Sequence, residues 1–299
     1  VGSQAEEFLN KLTVRNVTKQ SVGTVKYTLW CDQEGFVIDD GTLFRISDND
    51  FRLCSQEKHL PWLIDTSHGF DVEIIDETKH ICGISLQGPT SASILRLLGV
   101  NDIDNLKPFH LFQTKISNMP VMISRTGFTG DLGYEMFMKN NAANKIIDTV
   151  WNAGTNHGLT AIGYNALNMA RIEAGFLVAN IDFIPSDHAI RPDRCRRPED
   201  LGLGWLVDFS KGFFNGKKAI INNKLKRGNA FKIYALEIDG KEPVEGSIIY
   251  YNKKDEVGTV TSAIWSPMTK KSIALAQLKL DSPNSKMENL WVEIYALKE

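Results

Sequence analysis

The sequence predicts an α+β protein, and three observations support this prediction. Apolar residues recur at every second position in several short segments, such as residues 23–30, which is typical of strands. Other segments, such as residues 5–12 and 143–153, place apolar residues with helical spacing. From residue 231 onward, short alternating segments are separated by turns, which predicts a C-terminal antiparallel β-barrel or jelly roll.

Length and composition are typical of a soluble globular protein. A chain of 299 residues can hold two or three domains and bury a substantial core. The net charge of −2 attracts it neither to nucleic acid nor to a membrane surface, so we expect small molecules or proteins as partners. No apolar run approaches the roughly 20 residues of a membrane helix. The four cysteines form no C-x-x-C pair, and we expect a reduced, cytoplasmic setting.

The first hundred residues predict a helix, a β-hairpin and several short elements. In the helix at 5–12, the apolar side chains share one face. The hairpin joins residues 23–30 to residues 36–46 through a turn at 32–35. The remaining predicted elements are a helix at 59–64, strands at 70–75 and 81–86, and a helix at 91–98.

Two adjacent carboxylates, Asp39 and Asp40, lie in the second strand of this hairpin. Successive side chains of a strand point to opposite faces, so the two cannot enter one cavity without a bulge. We therefore expect one of them to be solvated. An acidic pair next to a turn is the common structural explanation, and a catalytic carboxylate is the functional alternative.

Three glycines at a spacing of three, Gly127, Gly130 and Gly133, separate two further strands. Glycine adopts backbone angles that other residues resist, and it lets a flat ligand approach the main chain. The loop is followed directly by one carboxylate, Glu135. The alternative is a tight hairpin with an exposed glutamate.

A predicted helix at 165–174 carries Arg171 and Glu173. From the residues alone, Arg171 is a surface arginine paired to Glu173 or to another neighbour. The segment 178–199 has no clear period and is rich in arginine. It is either a solvated loop or a surface for an acidic tail or partner. Residues 224–229 form a polar, basic linker, at which we place the last domain boundary.

Residues 124–135 read Ser-Arg-Thr-Gly-Phe-Thr-Gly-Asp-Leu-Gly-Tyr-Glu. This stretch resembles the S-R-T-G-Y-T-G-E-x-G-F-E signature of the aminomethyltransferase family, which comprises the tetrahydrofolate-dependent T-protein of the glycine cleavage system and its demethylase relatives. Other segments resemble further motifs of the family in the same order: residues 37–40, 168–175, 211–218, 261–267 and 271–276. The resemblance therefore spans nearly the whole chain.

The resemblance implies a three-domain cloverleaf with tetrahydrofolate in a central channel. We place the domains at residues 1–87 and 88–223, both α+β, and at residues 224–299, the β-barrel. Family members usually carry several dozen more residues upstream, with an F-D-V-S-H-like pattern. The resemblance therefore predicts that an N-terminal segment is missing here.

The resemblance also implies roles for individual side chains. Asp40 matches the second aspartate of the family's I-D-D pattern and is expected to be catalytic. Glu135 is expected to bind the pterin, whose neighbouring ring N–H and amino group a carboxylate accepts as a pair. Arg171 is expected to contact the folate by a bidentate or stacking contact.

Three aromatic residues, Tyr27, Phe44 and Phe128, are expected to line the same folate site. Phe44 stands where the family usually has a tyrosine, and Asn168 where it commonly has an aspartate. Removing polar groups beside the ligand changes which one-carbon donor fits, so the donor stays open.

The function implied is transfer of a methylene or methyl group from an amine-type donor to tetrahydrofolate. One alternative is a folate-dependent O-, S- or N-demethylase, and another is a folate-binding regulatory protein without turnover. The expected partners are a small-molecule one-carbon donor and, as in the glycine cleavage system, a lipoyl carrier protein. No metal, nucleic acid or membrane partner is expected.

Overall fold

The computed structural model describes residues 1–226, 231–279 and 289–294. Its helices are α1 (Ala5–Leu12), α2 (Leu60–Ser67), α3 (Ser91–Leu97), α4 (Asn140–Gly154), α5 (Tyr164–Glu173) and α6 (Lys217–Lys226). Its strands are β1 (Thr24–Cys31), β2 (Val37–Arg45), β3 (Phe51–Ser55), β4 (Ile81–Gln87), β5 (Leu111–Ile116), β6 (Met119–Ser124), β7 (Gly133–Lys139), β8 (Phe231–Ile238), β9 (Ile248–Tyr251), β10 (Asp255–Ser266), β11 (Lys271–Lys279) and β12 (Leu290–Val292).

These strands form antiparallel sheets that follow one another along the chain. The first sheet has the order β1-β2-β3, and the second has the order β4-β7-β6-β5. The C-terminal sheet has the order β12-β9-β10-β11-β8, with every pairing antiparallel. The predicted α+β class and the C-terminal antiparallel domain are thereby confirmed.

Helices cover one face of each of the first two sheets. On the first sheet, α1 buries Ala5, Phe8, Leu9 and Leu12, which are the apolar positions of its predicted face. On the second sheet, α3 and α4 bury side chains such as Ile94 and Ile146 against the strands. The alternate side chains of each sheet point to the opposite face, which these helices do not cover.

The first two sheets contact each other through the faces that these helices leave uncovered. Phe44 of β2 and Phe137 of β7 pack edge to face with their ring centroids 5.2 Å apart. Main-chain hydrogen bonds join the sheets at one end, from the Val25 N–H to the Phe109 carbonyl and from the Leu111 N–H to the Gly23 carbonyl, each 2.8 Å. Because side chains alternate along a strand, every second residue of β2 and of β7 points toward the other sheet.

The segment that follows α5 packs between the first sheet and the C-terminal sheet. Its buried side chains, such as Phe183 and Phe214, join Leu29 of β1 and Leu275 of β11 in one core. This segment therefore fixes the C-terminal sheet beside the hairpin of β1 and β2.

The strand predicted at residues 70–75 is wrong, because these residues join no sheet. Phe70, Val72 and Ile74 instead pack beside Phe8 of α1. Their alternation reflects one buried face, and a helix covers that face in place of a neighbouring strand. The predicted linker at 224–229 begins inside α6, which continues to Lys226, while residues 227–230 lie outside the described residues. The predicted domain limits, 1–87, 88–223 and 224–299, stay predictions.

In the described part of the chain, no helix has both the length and the apolar character needed to cross a membrane.

Candidate active site

Asp40 lies in the middle of β2, opposite Leu29 of β1. The hydroxyl of Tyr27, two residues before Leu29 on the same face, donates a hydrogen bond of 2.6 Å to the Asp40 Oδ2 atom. The regular pairing of the two strands thus fixes both ends of this contact. Tyr27 orients the carboxyl group of Asp40.

The environment of Asp40 suits proton transfer near neutral pH. Burial raises the pKa of its carboxyl group to about 7, against the lowering effect of the Tyr27 hydrogen bond, and the charges of Asp39 and Asp182 act in the same direction as burial. A general acid or base is most effective when its pKa lies near the working pH. Burial and the neighbouring Asp40 also raise the pKa of Tyr27, which therefore stays protonated as a donor.

Glu135 lies in β7 between Ser85 of β4 and Ser124 of β6. The Thr126 hydroxyl donates to the Glu135 Oε2 atom, and the Ser124 and Thr126 hydroxyl oxygens are 2.6 Å apart. Burial raises the pKa of Glu135, and the Thr126 hydrogen bond opposes the shift. Within the described residues, no group donates to the Oε1 atom, so an oriented carboxylate keeps one oxygen for a ligand.

Asp40 and Glu135 project from sheet faces that look toward each other. Asp40 shares its face of β2 with Phe44, and Glu135 shares its face of β7 with Phe137, because residues an even number apart point the same way. The Phe44 and Phe137 rings touch across the gap. The predicted catalytic carboxylate and the predicted pterin-binding carboxylate therefore each point toward the opposite sheet.

The glycine loop packs against α5 and the residues that follow it. Phe128 stacks on Phe176, which follows α5, with ring centroids 5.5 Å apart and an interplanar angle of 19°. Gly130 has a φ of 78°, and a Cβ atom there would lie 2.8 Å from the Cβ atom of Ala174. Glycine at this position therefore lets the loop approach α5 closely, with Phe128 only partly buried.

Arg171 lies in a buried network, 1% exposed, and is not a surface partner of Glu173. Its guanidinium donates to the Asp182 carboxylate, to the Asn168 Oδ1 atom at 2.8 Å and to the Ser262 Oγ atom at 2.7 Å. Asp182 also accepts hydrogen bonds from Thr261 and Ser262 of β10. Arg171 thus ties α5 to the segment after it and to the C-terminal sheet.

Phe44 is fully buried and packs on Phe137. It forms the apolar base between the two sheets. The predicted folate contacts of Tyr27, Phe44, Phe128, Glu135 and Arg171 and the predicted catalytic role of Asp40 all stay predictions. Tyr27, Asp40, Glu135 and Phe128 keep partly exposed surface.

The expectation that one aspartate of the pair is solvated is wrong for Asp39, which is 0% exposed. Its Oδ2 atom lies 3.0 Å from the Nε2 atom of His59, and the Nδ1 atom of His59 lies 3.0 Å from the Oδ2 atom of Asp187. The sequence did not predict these contacts between Asp39, His59 and Asp187. His59 and Asp187 are 128 residues apart, and no local pattern links them.

The fold and this site define a class: an α+β protein in which two facing sheets each carry a largely buried carboxylate of raised pKa, next to a glycine loop. Comparison with known proteins specifies it further. Residues 1–211 match the family described as the GCVT N-terminal domain, and residues 232–296 match the glycine cleavage T-protein C-terminal barrel domain. The chain belongs to this T-protein family of folate-dependent one-carbon transferases.

Named relatives differ in activity. The chain is 29% identical to the aminomethyltransferase of Halothermothrix orenii, covering 94% of this chain and 76% of that one. It is 32% identical to the heme-dependent oxidative N-demethylase gamma subunit of Ectopseudomonas mendocina, covering 93% and 73%. It is also 32% identical to the trimethylamine-oxide aldolase of Ruegeria pomeroyi, covering 93% of this chain but 35% of that longer one.

A solved structure supports the fold. The aminomethyltransferase T of the glycine cleavage system from Bartonella henselae superposes with a TM-score of 0.81 at 22% identity, covering 93% of this chain and 74% of that one. The predicted T-protein fold is thereby confirmed.

Proposed function

We propose that this protein binds tetrahydrofolate between its first two sheets and moves a methylene or methyl group onto it from an amine-type donor. The observation that carries the proposal is the position of Asp40 and Glu135 on sheet faces that look toward each other. The contact of Phe44 with Phe137 joins these two faces. Membership of the T-protein family supports the same activity.

The residues fit a reduced pteridine. The Oε1 atom of Glu135 has no donor among the described residues, and the Oε2 atom, which accepts from Thr126, keeps a second lone pair. The carboxylate can therefore accept from both a ring N–H and an amino group. The stacked rings of Phe128 and Phe176 offer an apolar surface at the edge of the space. When bound, tetrahydrofolate supplies the nucleophilic nitrogen that receives the one-carbon unit.

Asp40 is proposed to move the proton of the reaction. With a pKa of about 7, its carboxyl group is present in both forms at neutral pH. The protonated form protonates a leaving amine, and the ionised form takes a proton from the attacking nitrogen. Tyr27 holds the Oδ2 atom, which leaves the carboxyl group in one orientation.

The donor and the setting are also part of the proposal. The donor is a small molecule, either free or attached to a lipoyl carrier protein. A reduced cytoplasmic compartment is supported by the four cysteines, all of which are free thiols.

A donor screen tests the proposed function. The protein is incubated with tetrahydrofolate and a panel of aminomethyl and methylated amines, with and without a lipoyl carrier protein, and methylene- and methyl-tetrahydrofolate are quantified by mass spectrometry. Asp40→Asn abolishes product formation in the proposal, whereas Asp148→Asn, an exposed carboxylate on α4, leaves it unchanged. Failure of the wild-type protein to bind tetrahydrofolate in calorimetry rejects the proposal.

A further inference from the structure

His59 is held between two carboxylates. It precedes α2 with a left-handed backbone, and its side chain is 3% exposed. Its Nε2 and Nδ1 atoms lie 3.0 Å from carboxylate oxygens of Asp39 and Asp187. An ionised carboxylate only accepts hydrogen bonds, so both ring nitrogens must carry protons. The geometry therefore describes an imidazolium cation.

Two aromatic rings also lie beside His59. The Trp30 ring meets it edge-on at 6.0 Å, and the exposed His188 ring lies 6.1 Å away. Burial alone lowers the pKa of His59, but the hydrogen bonds and charges of Asp39 and Asp187 outweigh it and raise that pKa above its ordinary value.

Asp39 connects this imidazolium to Asp40. Its Oδ1 atom accepts the backbone N–H of Asp40 at 2.8 Å, and its Oδ2 atom also accepts the Glu57 N–H at 3.4 Å. Because neighbouring residues of β2 point to opposite faces, His59 and Asp39 lie behind the strand, away from the inter-sheet space. His59 thus reaches Asp40 only through Asp39.

We propose that His59 is a positioning residue for one-carbon transfer: it is the cation that faces Asp39 behind β2, and Asp39 fixes the Asp40 peptide and places a negative charge beside the Asp40 carboxyl group. The role rests on the proposed function of Asp40. His59 itself touches neither donor nor folate.

The consequence for Asp40 follows from the charges that face it. These are Asp39 in its own strand, Asp182 after α5, and the Tyr27 hydroxyl from β1. Without the imidazolium, the negative charge of Asp39 is buried without a cation, which is costly. If that charge is lost, one of the charges that raise the pKa of Asp40 is gone, and Asp40 titrates at lower pH.

Carbon-13 NMR of the aspartate carboxyl groups tests this in the ligand-free protein. We expect His59→Gln and Asp39→Asn each to lower the Asp40 titration midpoint by roughly half to one pH unit, the effect of one charge at several ångströms. The double variant shifts it no further, because both changes remove the same charge. His188→Asn, which alters the exposed neighbouring histidine, leaves the midpoint unchanged.

The NMR titration is made without folate, so its result does not depend on whether the protein binds tetrahydrofolate. An unmoved or raised Asp40 midpoint in folded His59→Gln overturns the positioning role even if tetrahydrofolate binds. Absent folate binding rejects the proposed function and leaves the midpoints as expected here.

A milder variant covers the case in which His59→Gln does not fold. The Asp187 side chain is 36% exposed, so Asp187→Asn is expected to fold. It removes one of the charges that raise the pKa of His59. The His59 ring titration, followed by proton NMR, then shifts to lower pH. An unshifted ring titration contradicts the contact between Asp187 and the His59 ring.

Discussion

Replacing Asp40 with asparagine should abolish transfer and at the same time stabilise the fold at alkaline pH. The structure raises the pKa of Asp40 from 3.8 to about 7, chiefly by burial. Each tenfold change in proton affinity corresponds to roughly 1.4 kcal/mol, so the whole shift amounts to roughly 4 kcal/mol.

The sign of the stability effect follows from where the proton binds. The folded protein binds the Asp40 proton more tightly than the unfolded chain, so this group contributes stability below the unfolded pKa, near 3.8, and the contribution is lost as the pH rises through about 7. Asparagine carries no ionisable proton but still accepts from the Tyr27 hydroxyl. Asp40→Asn should therefore exceed the wild type in stability by roughly 2–4 kcal/mol at pH 8–9 and match it near pH 4.

Urea unfolding at several pH values measures the stability difference, and product formation with tetrahydrofolate measures transfer, which should fall by roughly 10²- to 10⁴-fold. Asp148→Asn controls for the loss of a surface charge. A constant stability difference from pH 4 to pH 9 would refute the burial argument. Retained transfer with folate still bound would refute the catalytic role.

Three further variants separate ligand binding from structure. Glu135→Gln should weaken tetrahydrofolate binding by roughly 10- to 100-fold in calorimetry, since hydrogen bonds to a charged group contribute roughly 1.5–3 kcal/mol; unchanged affinity contradicts its pterin role. Phe128→Ala should cost roughly 0.5–1.5 kcal/mol of the same affinity through lost ring contacts, and an undiminished affinity removes it from the site. Arg171→Ala should lower the free energy of unfolding by roughly 3–5 kcal/mol, because it leaves Asp182 buried without a cation.

Arg191→Ala is the control for Arg171→Ala, because the Arg191 side chain is 61% exposed. The change removes the ion pair between the Arg191 Nε atom and the Asp193 Oδ1 atom, which are 3.6 Å apart. Its free energy of unfolding should stay within roughly 0.5 kcal/mol of the wild type. If Arg171→Ala unfolds at the wild-type urea concentration, the buried network is not what holds α5 to the C-terminal sheet.

The local pattern predicted much of the fold. The four apolar positions of α1 predicted both the helix and its buried face, and alternation predicted the β1 and β2 hairpin and the C-terminal strands. Alternation failed at residues 70–75, since it reports one buried face and does not distinguish a partner strand from a covering helix.

The candidate site was predictable only in part. Asp40 and Glu135 were singled out by motif. That their strands face each other depends on how two sheets pack, which no short segment encodes. The burial of Arg171 depends on Asp182 and Ser262, the latter 91 residues away in the chain. The surroundings of Asp39 depend on His59 and Asp187 in the same way. Long-range contacts of this kind set charge states that spacing in the sequence does not reveal.

Calorimetric titration of tetrahydrofolate into the wild type, Asp40→Asn and Glu135→Gln tests most directly whether the two carboxylates divide binding and chemistry within one cavity. We predict stoichiometric binding by the wild type, affinity within a few-fold in Asp40→Asn, and a loss of roughly 10- to 100-fold in Glu135→Gln. Absence of binding by the wild type, or equal affinity in Glu135→Gln, would contradict the account.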